Sequence, residues 1–255
     1  MDYIIVTGAS SGIGEALSYE LAHRGHNLIV VARNRYSLDT LKKKLESTYG
    51  IQVIPMNFDL SQLEQIPKLH EACRPYEVIG LINNAGYGLY GAFIELDLGA
   101  ERNLIDLNIT SLHMLSKLFL KDFIKRERGY LLNVSSTAAF QAGPYMASYY
   151  ASKAYVLNLT EAIAEELKHS YPNIIVSVLC PGPVATNFQK RAKIILKNRR
   201  LPTAEEVAHY GVKHWFRGKV LIIPKFSNRL LIFGNRLLPR SYGRYLVKKN
   251  QLKKK

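Results

Sequence analysis

The chain reads as an α/β protein, a single-domain, doubly wound parallel sheet of about seven strands with helices on both faces. Three observations predict this. Short apolar runs alternate with amphipathic stretches along most of the 255 residues. A glycine-rich turn joins the first apolar run directly to the first helical pattern. No linker-like stretch divides the chain, and its length suits one large domain.

Tyr3-Ile4-Ile5-Val6 is the first strand, bounded at once by Thr7-Gly8-Ala9-Ser10-Ser11-Gly12-Ile13-Gly14. Ala16, Leu17, Glu20, Leu21 and Arg24 then follow with helical spacing. Gly8 lets the chain turn off the strand, Gly12 lets the backbone approach a pyrophosphate, and Gly14 lets helix and sheet pack closely. The helix start presents unpaired N–H groups and the positive end of its dipole. Gly8, Ser10, Ser11, Gly12, Ile13 and Gly14 are therefore candidate dinucleotide contacts. A P-loop is excluded, because no Gly-Lys-Ser/Thr follows at the required spacing.

The second strand, Asn27 to Ala32, ends at Arg33. In dinucleotide folds an acid at this point bonds the ribose 2′-hydroxyl of NAD, whereas a base suits a 2′-phosphate. Arg33, followed by Asn34 and Arg35, favours NADP(H) over NAD(H). Ser37 to Tyr49 reads as a helix, Ile51 to Ile54 as the third strand, and Asp59 and Leu60 lie just beyond it. Asp59 is placed to bond an adenine amino group and to cap a helix over Gln62 to Ala72, two roles that are compatible. Val78 to Ile82 is the fourth strand, ending in Asn83-Asn84-Ala85-Gly86. A long helix is predicted over Gly99 to Lys125, a fifth strand over Tyr130 to Val134, and a helix over Ser148 to His169. Ile174 to Leu179 is the sixth strand, leading into Cys180-Pro181-Gly182-Pro183-Val184-Ala185-Thr186. Thr203 to Phe216 reads as a helix and Lys219 to Ile223 as a last strand. Ligands of such sheets bind at the carboxyl ends of the strands, which is where the glycine turn, Arg33, Asp59, Asn84 to Gly86, Ser136 and Pro181-Gly182 all fall.

Tyr149 and Lys153, four residues apart on a predicted helix, share one face of it. A free phenol has a pKa near 10, and a neighbouring cation is expected to pull it down toward working pH. Ser136, thirteen residues before Tyr149, can hydrogen-bond the same substrate oxygen. These parts suit carbonyl reduction or alcohol oxidation. Tyr245 and Lys249 repeat the spacing, but Ile232 stands where the serine would be.

The motifs Thr7-Gly8-x-x-x-Gly12-x-Gly14, Asn83-Asn84-Ala85-Gly86, Asn108, Ser136, Tyr149-x-x-x-Lys153 and Pro181-Gly182-x-x-x-Thr186 resemble, in order and spacing, those of the short-chain dehydrogenase/reductase superfamily. The resemblance runs to about residue 186 and more loosely to 223. The stretches 83–90 and 133–167 look most like a bacterial branch of largely unassigned oxidoreductases, itself similar to hydroxysteroid dehydrogenases and ketoacyl reductases. The resemblance implies a Rossmann-type fold and gives the residues roles. Tyr149 exchanges the proton, Lys153 tunes it and bonds the nicotinamide ribose, and Ser136 polarises the carbonyl. Asn108 holds a water that links Lys153 to solvent. Thr186 bonds the carboxamide, with Pro181, Gly182 and Val184 beside it. Asn84, Ala85 and Gly86 lie by the adenine ribose. It also implies a homodimer or homotetramer through the helices carrying Asn108 and Tyr149.

Tyr87, Phe140, Tyr145 and Phe188 follow these motifs closely, so an apolar, aromatic pocket for a hydrophobic ketone or its alcohol is expected. The rival reading is a non-catalytic NADP(H)-binding regulator, or a membrane-tethered protein, on the same fold; an intact Ser/Tyr/Lys set speaks against it. Two cysteines, Cys73 and Cys180, give no disulfide framework and point to a reducing, cytoplasmic setting. No Cys/His spacing suggests a metal, and no apolar run is long enough to span a bilayer.

The net charge of +15 is unevenly placed. Residues 1–189 hold 16 Lys+Arg and 18 Asp+Glu, a balance of −2, while residues 190–255 hold 19 and 2, a balance of +17. A catalytic domain over 1–223 thus carries a basic extension over 224–255, in which Leu230-Leu231, Phe233, Leu237-Leu238, Tyr242 and Tyr245-Leu246-Val247 alternate with arginines and lysines. Three readings stay open: packing on the domain or a partner subunit, peripheral attachment to the anionic inner face of a membrane, and attraction of acidic ligands or nucleic acid. No base-reading motif is present, so nucleic acid is not an expected partner.

Overall fold

The computed structural model describes residues 1–186 and 201–252. Its strands are β1 (Asp2–Thr7), β2 (Asn27–Ala32), β3 (Val53–Asn57), β4 (Glu77–Asn83), β5 (Gly129–Val134), β6 (Ile174–Leu179) and β7 (Leu221–Ile222). They form one sheet in the order β3-β2-β1-β4-β5-β6-β7, every pairing parallel. The order reverses between β1 and β4, which opens a crevice above their carboxyl ends. The helices are α1 (Gly12–His23), α2 (Arg35–Tyr49), α3 (Gln65–Ala72), α4 (Leu98–Ile105), α5 (Leu112–Lys125), α6 (Ala147–Leu167), α7 (Ala204–Trp215), α8 (Phe226–Leu237) and α9 (Arg240–Leu252).

Alternation along β1 shows why both faces are covered. Ile4 and Val6 pack with Leu17, Leu21, Leu38 and Trp215 on one side. Tyr3 and Ile5 pack with Ile66, Phe119 and Phe123 on the other. Side chains on a strand point alternately to opposite faces, so a strand apolar throughout demands two apolar layers. Trp215 anchors the first layer, fully buried, its indole N–H donating to Leu131 O at 3.2 Å.

A buried amide ladder crosses the sheet at the β4–β5 pairing, where Asn83 lies opposite Asn133. Asn83 Nδ2 donates to Asn133 Oδ1 at 2.9 Å and to Ser116 Oγ on α5 at 3.0 Å. Asn133 Nδ2 donates to Thr160 Oγ1 on α6 at 2.9 Å.

Two expectations about elements need correction. The long helix predicted over 99–125 is α4 and α5 joined by a π-helical turn, Asp106–Ser111. The third strand lies over Val53–Asn57 rather than 51–54. There Val53 N donates to Glu46 Oε1 at 3.0 Å and Lys42 Nζ donates to Val53 O at 2.8 Å, which ties the strand's start to α2.

Candidate active site

A cavity of about 1190 Å³ opens at the crevice above β1 and β4. Its lining brings together most of the residues picked from sequence: Gly8, Ser10, Ser11, Gly12, Ile13, Arg33, Asp59, Leu60, Asn84, Ala85, Gly86, Tyr87, Ser136, Tyr149, Lys153, Pro181, Gly182, Val184 and Thr186.

The glycine turn is a cradle that only glycine fits. Gly8 and Gly12 have φ of +66° and +60°, in the left-handed region that side chains disfavour. Gly14 does not line the cavity; a Cβ there would stand 2.3 Å from Gly8 O and 2.4 Å from Asn84 Nδ2. Its role is the close approach of helix to turn. Thr7 and Asn84 lock the turn to β4. Thr7 Oγ1 accepts from Asn84 N at 2.9 Å and Ala85 N at 3.1 Å, and Asn84 Nδ2 donates to Thr7 O at 2.9 Å. Ser11, at the N-cap of α1, makes no side-chain capping bond. The helix start thus presents backbone donors to the cavity, which fits a phosphate group. A dinucleotide fits this cradle: positive-φ glycines, donors at a helix start, and a basic side chain at the end of β2.

That side chain, Arg33, is 62% exposed, and its Nη1 lies 3.8 Å from Asp59 Oδ2. Asp59 serves local structure as well, since its Oδ1 accepts from Ser61 N at 3.0 Å and Ser61 Oγ at 2.8 Å. It caps this turn rather than a helix at 62, because α3 starts only at Gln65.

Ser136, just past β5, has its hydroxyl 3.1 Å from Ala138 N, which donates to it, and 3.3 Å from Pro181 O. It also shares a hydrogen bond with the Tyr149 phenol. Ser135 is turned to structure instead, its Oγ donating to Lys153 O at 2.7 Å. Lys153 is buried, donates from Nζ to Val134 O at 2.9 Å, and sits 5.9 Å from the centre of the Tyr149 ring.

The electrostatics differ from the sequence expectation. Burial pushes the Tyr149 phenol up to about 12, and the Ser136 hydrogen bond pulls only partly against this. Burial likewise brings the Lys153 ammonium down to about 8. The ammonium donates to the Val134 carbonyl and lies over the phenol's ring, and burial is the largest influence on both groups. Desolvation of both groups therefore outweighs their pairing.

Asn108 lies in the π-helical turn, 1% exposed, and outside the cavity lining. Its Oδ1 accepts from Tyr87 N at 3.1 Å, while its Nδ2 donates to Tyr87 O at 2.9 Å and Ser152 Oγ at 3.1 Å. Its amide bridges the loop after β4 to α6, and a Cβ on Gly86 would meet both Asn108 Oδ1 at 2.9 Å and Lys153 Nζ at 3.5 Å.

Two of the aromatic candidates are not brought to the cavity. Phe140 packs beside the cluster of Leu112, Val156 and Val178, and Tyr145 stacks on Tyr90 at 6.1 Å. Phe188 lies outside the described residues. Tyr245, of the second Tyr/Lys pair, is 57% exposed on α9, away from the cavity. Sequence reasoning missed Tyr150 and Gln141 in the lining, and missed Gln251 behind it. Gln251 is 1% exposed and donates from Nε2 to Tyr150 Oη at 2.8 Å. The adjacency of Tyr150 to Tyr149 at the start of α6 was the available signal; nothing local marks Gln251. Among the described residues, no group of three or more His, Cys, Asp or Glu side chains could hold a metal ion, and no helix is long and apolar enough to cross a membrane. Cys180 is fully buried, its thiol pushed up to about 12 by burial.

The model of the family described as short chain dehydrogenase matches residues 2–194. The chain is 32% identical over 214 residues to 17-beta-hydroxysteroid dehydrogenase type 3 of Mus musculus, an alignment covering 83% of this chain and 68% of the relative. It is 32% identical over 207 residues to very-long-chain 3-oxoacyl-CoA reductase-A of Danio rerio, covering 80% and 63%. Among solved structures, a short-chain dehydrogenase from Sphingobium yanoikuyae in complex with NADPH superposes with a TM-score of 0.84 at 29% identity, covering 92% of this chain and 93% of that one.

Proposed function

Because this chain belongs to the short-chain dehydrogenase family, we propose that it is an NADP(H)-dependent oxidoreductase. In this reading it interconverts a hydrophobic ketone and its secondary alcohol, with Tyr149 exchanging the proton. The observation that carries this reading is the convergence of the Ser136 hydroxyl, the Tyr149 phenol and the Lys153 ammonium on the cavity that also holds the glycine-rich helix start.

When bound, the nicotinamide supplies the hydride for reduction or takes it in oxidation. Ser136 and Tyr149 share a hydrogen bond and are placed to donate together to a carbonyl oxygen entering the cavity. As charge develops on that oxygen, the phenol O–H breaks and the substrate O–H forms. The buried ammonium of Lys153, close to the ring, stabilises the phenolate left behind. With its pKa pushed up to about 12, the phenol is in its donating form throughout neutral pH, which favours reduction.

Arg33 supports the choice of NADP(H), since its exposed guanidinium at the end of β2 suits a 2′-phosphate. The NADPH named for the Sphingobium yanoikuyae structure agrees with that choice. Tyr87, Leu89, Leu107, Met146 and Tyr150 give the cavity an apolar and aromatic side, which supports a bulky hydrophobic carbonyl. The two relatives' names, a hydroxysteroid dehydrogenase and a 3-oxoacyl-CoA reductase, point the same way. In this reading residues 1–223 form the catalytic unit, residues 224–255 a basic extension, and the setting is the cytoplasm.

The test is NADPH oxidation against a panel of hydrophobic ketones. Tyr149→Phe should lower kcat about 10²–10⁴-fold while NADPH affinity stays within about twofold. Wild-type turnover in Tyr149→Phe would remove the phenol from its role.

A further inference from the structure

The basic extension has two dissimilar faces. Its inner face is seated on the catalytic unit against residues that line the cavity. On α8, Ile232 packs on the cluster of Ala139 and Val156, and Asn228 lies so close to Gly182 that a Cβ there would stand 2.8 Å from Asn228 Nδ2. On α9, Val247 is buried, and Gln251 bonds Tyr150 at 2.8 Å and Met146 Sδ at 3.7 Å, both of which line the cavity. Tyr90 Oη closes this contact by donating to Gln251 O at 3.0 Å.

The outer face is apolar and basic. Phe226, Leu230, Phe233 and Leu237 recur at helical spacing on α8 and are 77%, 61%, 61% and 72% exposed. Tyr242, Tyr245 and Leu252 share one side of α9 and are 51%, 57% and 47% exposed. Around them stand Lys225, Arg240, Arg244, Lys248 and Lys249, all exposed. Residues 224–255 hold ten Lys+Arg and no Asp or Glu. An amphipathic helix pair with an apolar stripe and an exclusively cationic border matches the interfacial layer of an anionic bilayer. A second copy of this chain fits poorly, because it would bring together two such cationic surfaces with no acid between them.

We propose that the outer face of α8 and α9 docks on an anionic lipid bilayer, so that the cavity wall of Gly182, Met146 and Tyr150, which the inner face of the same helices touches, is held close to the membrane surface. The lipid contact does not depend on the oxidoreductase reading. The consequence for substrate does: hydrophobic ketones would enter from the lipid phase.

The experiment is co-sedimentation of the full chain with vesicles of phosphatidylcholine alone or mixed with phosphatidylglycerol, at low and high salt. Binding should need phosphatidylglycerol and weaken with salt. Arg244→Glu with Lys248→Glu should reduce partitioning about tenfold or more, as should Leu230→Asp with Phe233→Asp, with the melting temperature unchanged. The charge pair tests the idea even if the apolar pair fails to fold. Absence of binding, equal binding to neutral vesicles, or full binding by both variants would overturn the proposal. Self-association of the wild type that Leu230→Asp with Phe233→Asp abolishes would assign the face to a second copy instead. NADPH binding and reduction of a water-soluble ketone, measured on the same samples, report separately on the oxidoreductase reading.

Discussion

Replacing Lys153 by methionine should make the protein more stable at neutral pH while removing its activity. The ammonium is 6% exposed, and burial brings it from 10.5 down to about 8. That gap corresponds to roughly 3 kcal/mol of penalty on the buried charge at pH 7. Methionine has similar length and no charge, but it leaves Val134 O without the 2.9 Å donor, at a cost of about 1 kcal/mol. The net gain is about 2 kcal/mol, or a rise of roughly 4–8 °C in Tm for a domain of this size. The sign can be checked with pH. Between pH 8 and 10.5 the folded lysine has released its proton while the unfolded one keeps it, so wild-type stability rises with pH across that window. The variant lacks this gain, and its advantage should shrink from about pH 8 upward and vanish near about pH 10. Urea unfolding of both proteins at three pH values reads this directly. A variant less stable than wild type at pH 7, or a difference that ignores pH, would refute the account of Lys153 as a desolvated charge. In the same variant ketone reduction should fall by about 10²-fold or more.

Arg33→Ala should weaken NADPH binding about 10–100-fold, the worth of a lost charge-assisted hydrogen bond to phosphate, and change NADH binding little; equal effects by titration would exclude a 2′-phosphate contact. Gly14→Ala places a methyl 2.3 Å from the Gly8 carbonyl, so it should cost about 1–3 kcal/mol in thermal unfolding and weaken nucleotide binding at least about tenfold. Trp215→Phe removes the indole donor to Leu131 O and leaves a void, so it should cost about 2–3 kcal/mol, while kcat and KM, measured in the folded range, stay unchanged because Trp215 lies outside the cavity lining.

What was legible in the sequence is what local chemistry writes. Gly8 and Gly12 announce themselves because their backbone conformations exclude other residues, and Tyr149 and Lys153 because one helical turn brings them together. A parallel sheet covered on both faces, with ligand-facing residues at its carboxyl ends, followed from the alternation. Long-range closure left no such mark. Gln251 reaches Tyr150 across 101 residues of chain, and no spacing rule connects the two. Phe140 and Tyr145 stand near Ser136 and Tyr149 in sequence, yet their backbone turns them to a core cluster and to Tyr90. The phenol's pKa rises where the spacing of Tyr149 and Lys153 suggested a fall, because burial, which no spacing rule reports, is the largest influence on it.

The amide ladder of Asn83 and Asn133 bears on a problem peculiar to buried parallel sheets. β4 and β5 are apolar along nearly their whole length, so sliding one past the other by two residues would keep greasy side chains against greasy neighbours. Hydrophobicity alone cannot say where these strands should stop. Opposed carboxamides, further stitched to Ser116 and Thr160, bond across the pair in one alignment, where Asn83 Oδ1 alone of the ladder is left without a partner, and a slipped alignment would break these bonds as well. Ser136 stands three residues beyond Asn133 and Asn84 one beyond Asn83. The ladder is thus the vernier that sets the two strand tips level with each other before any ligand arrives.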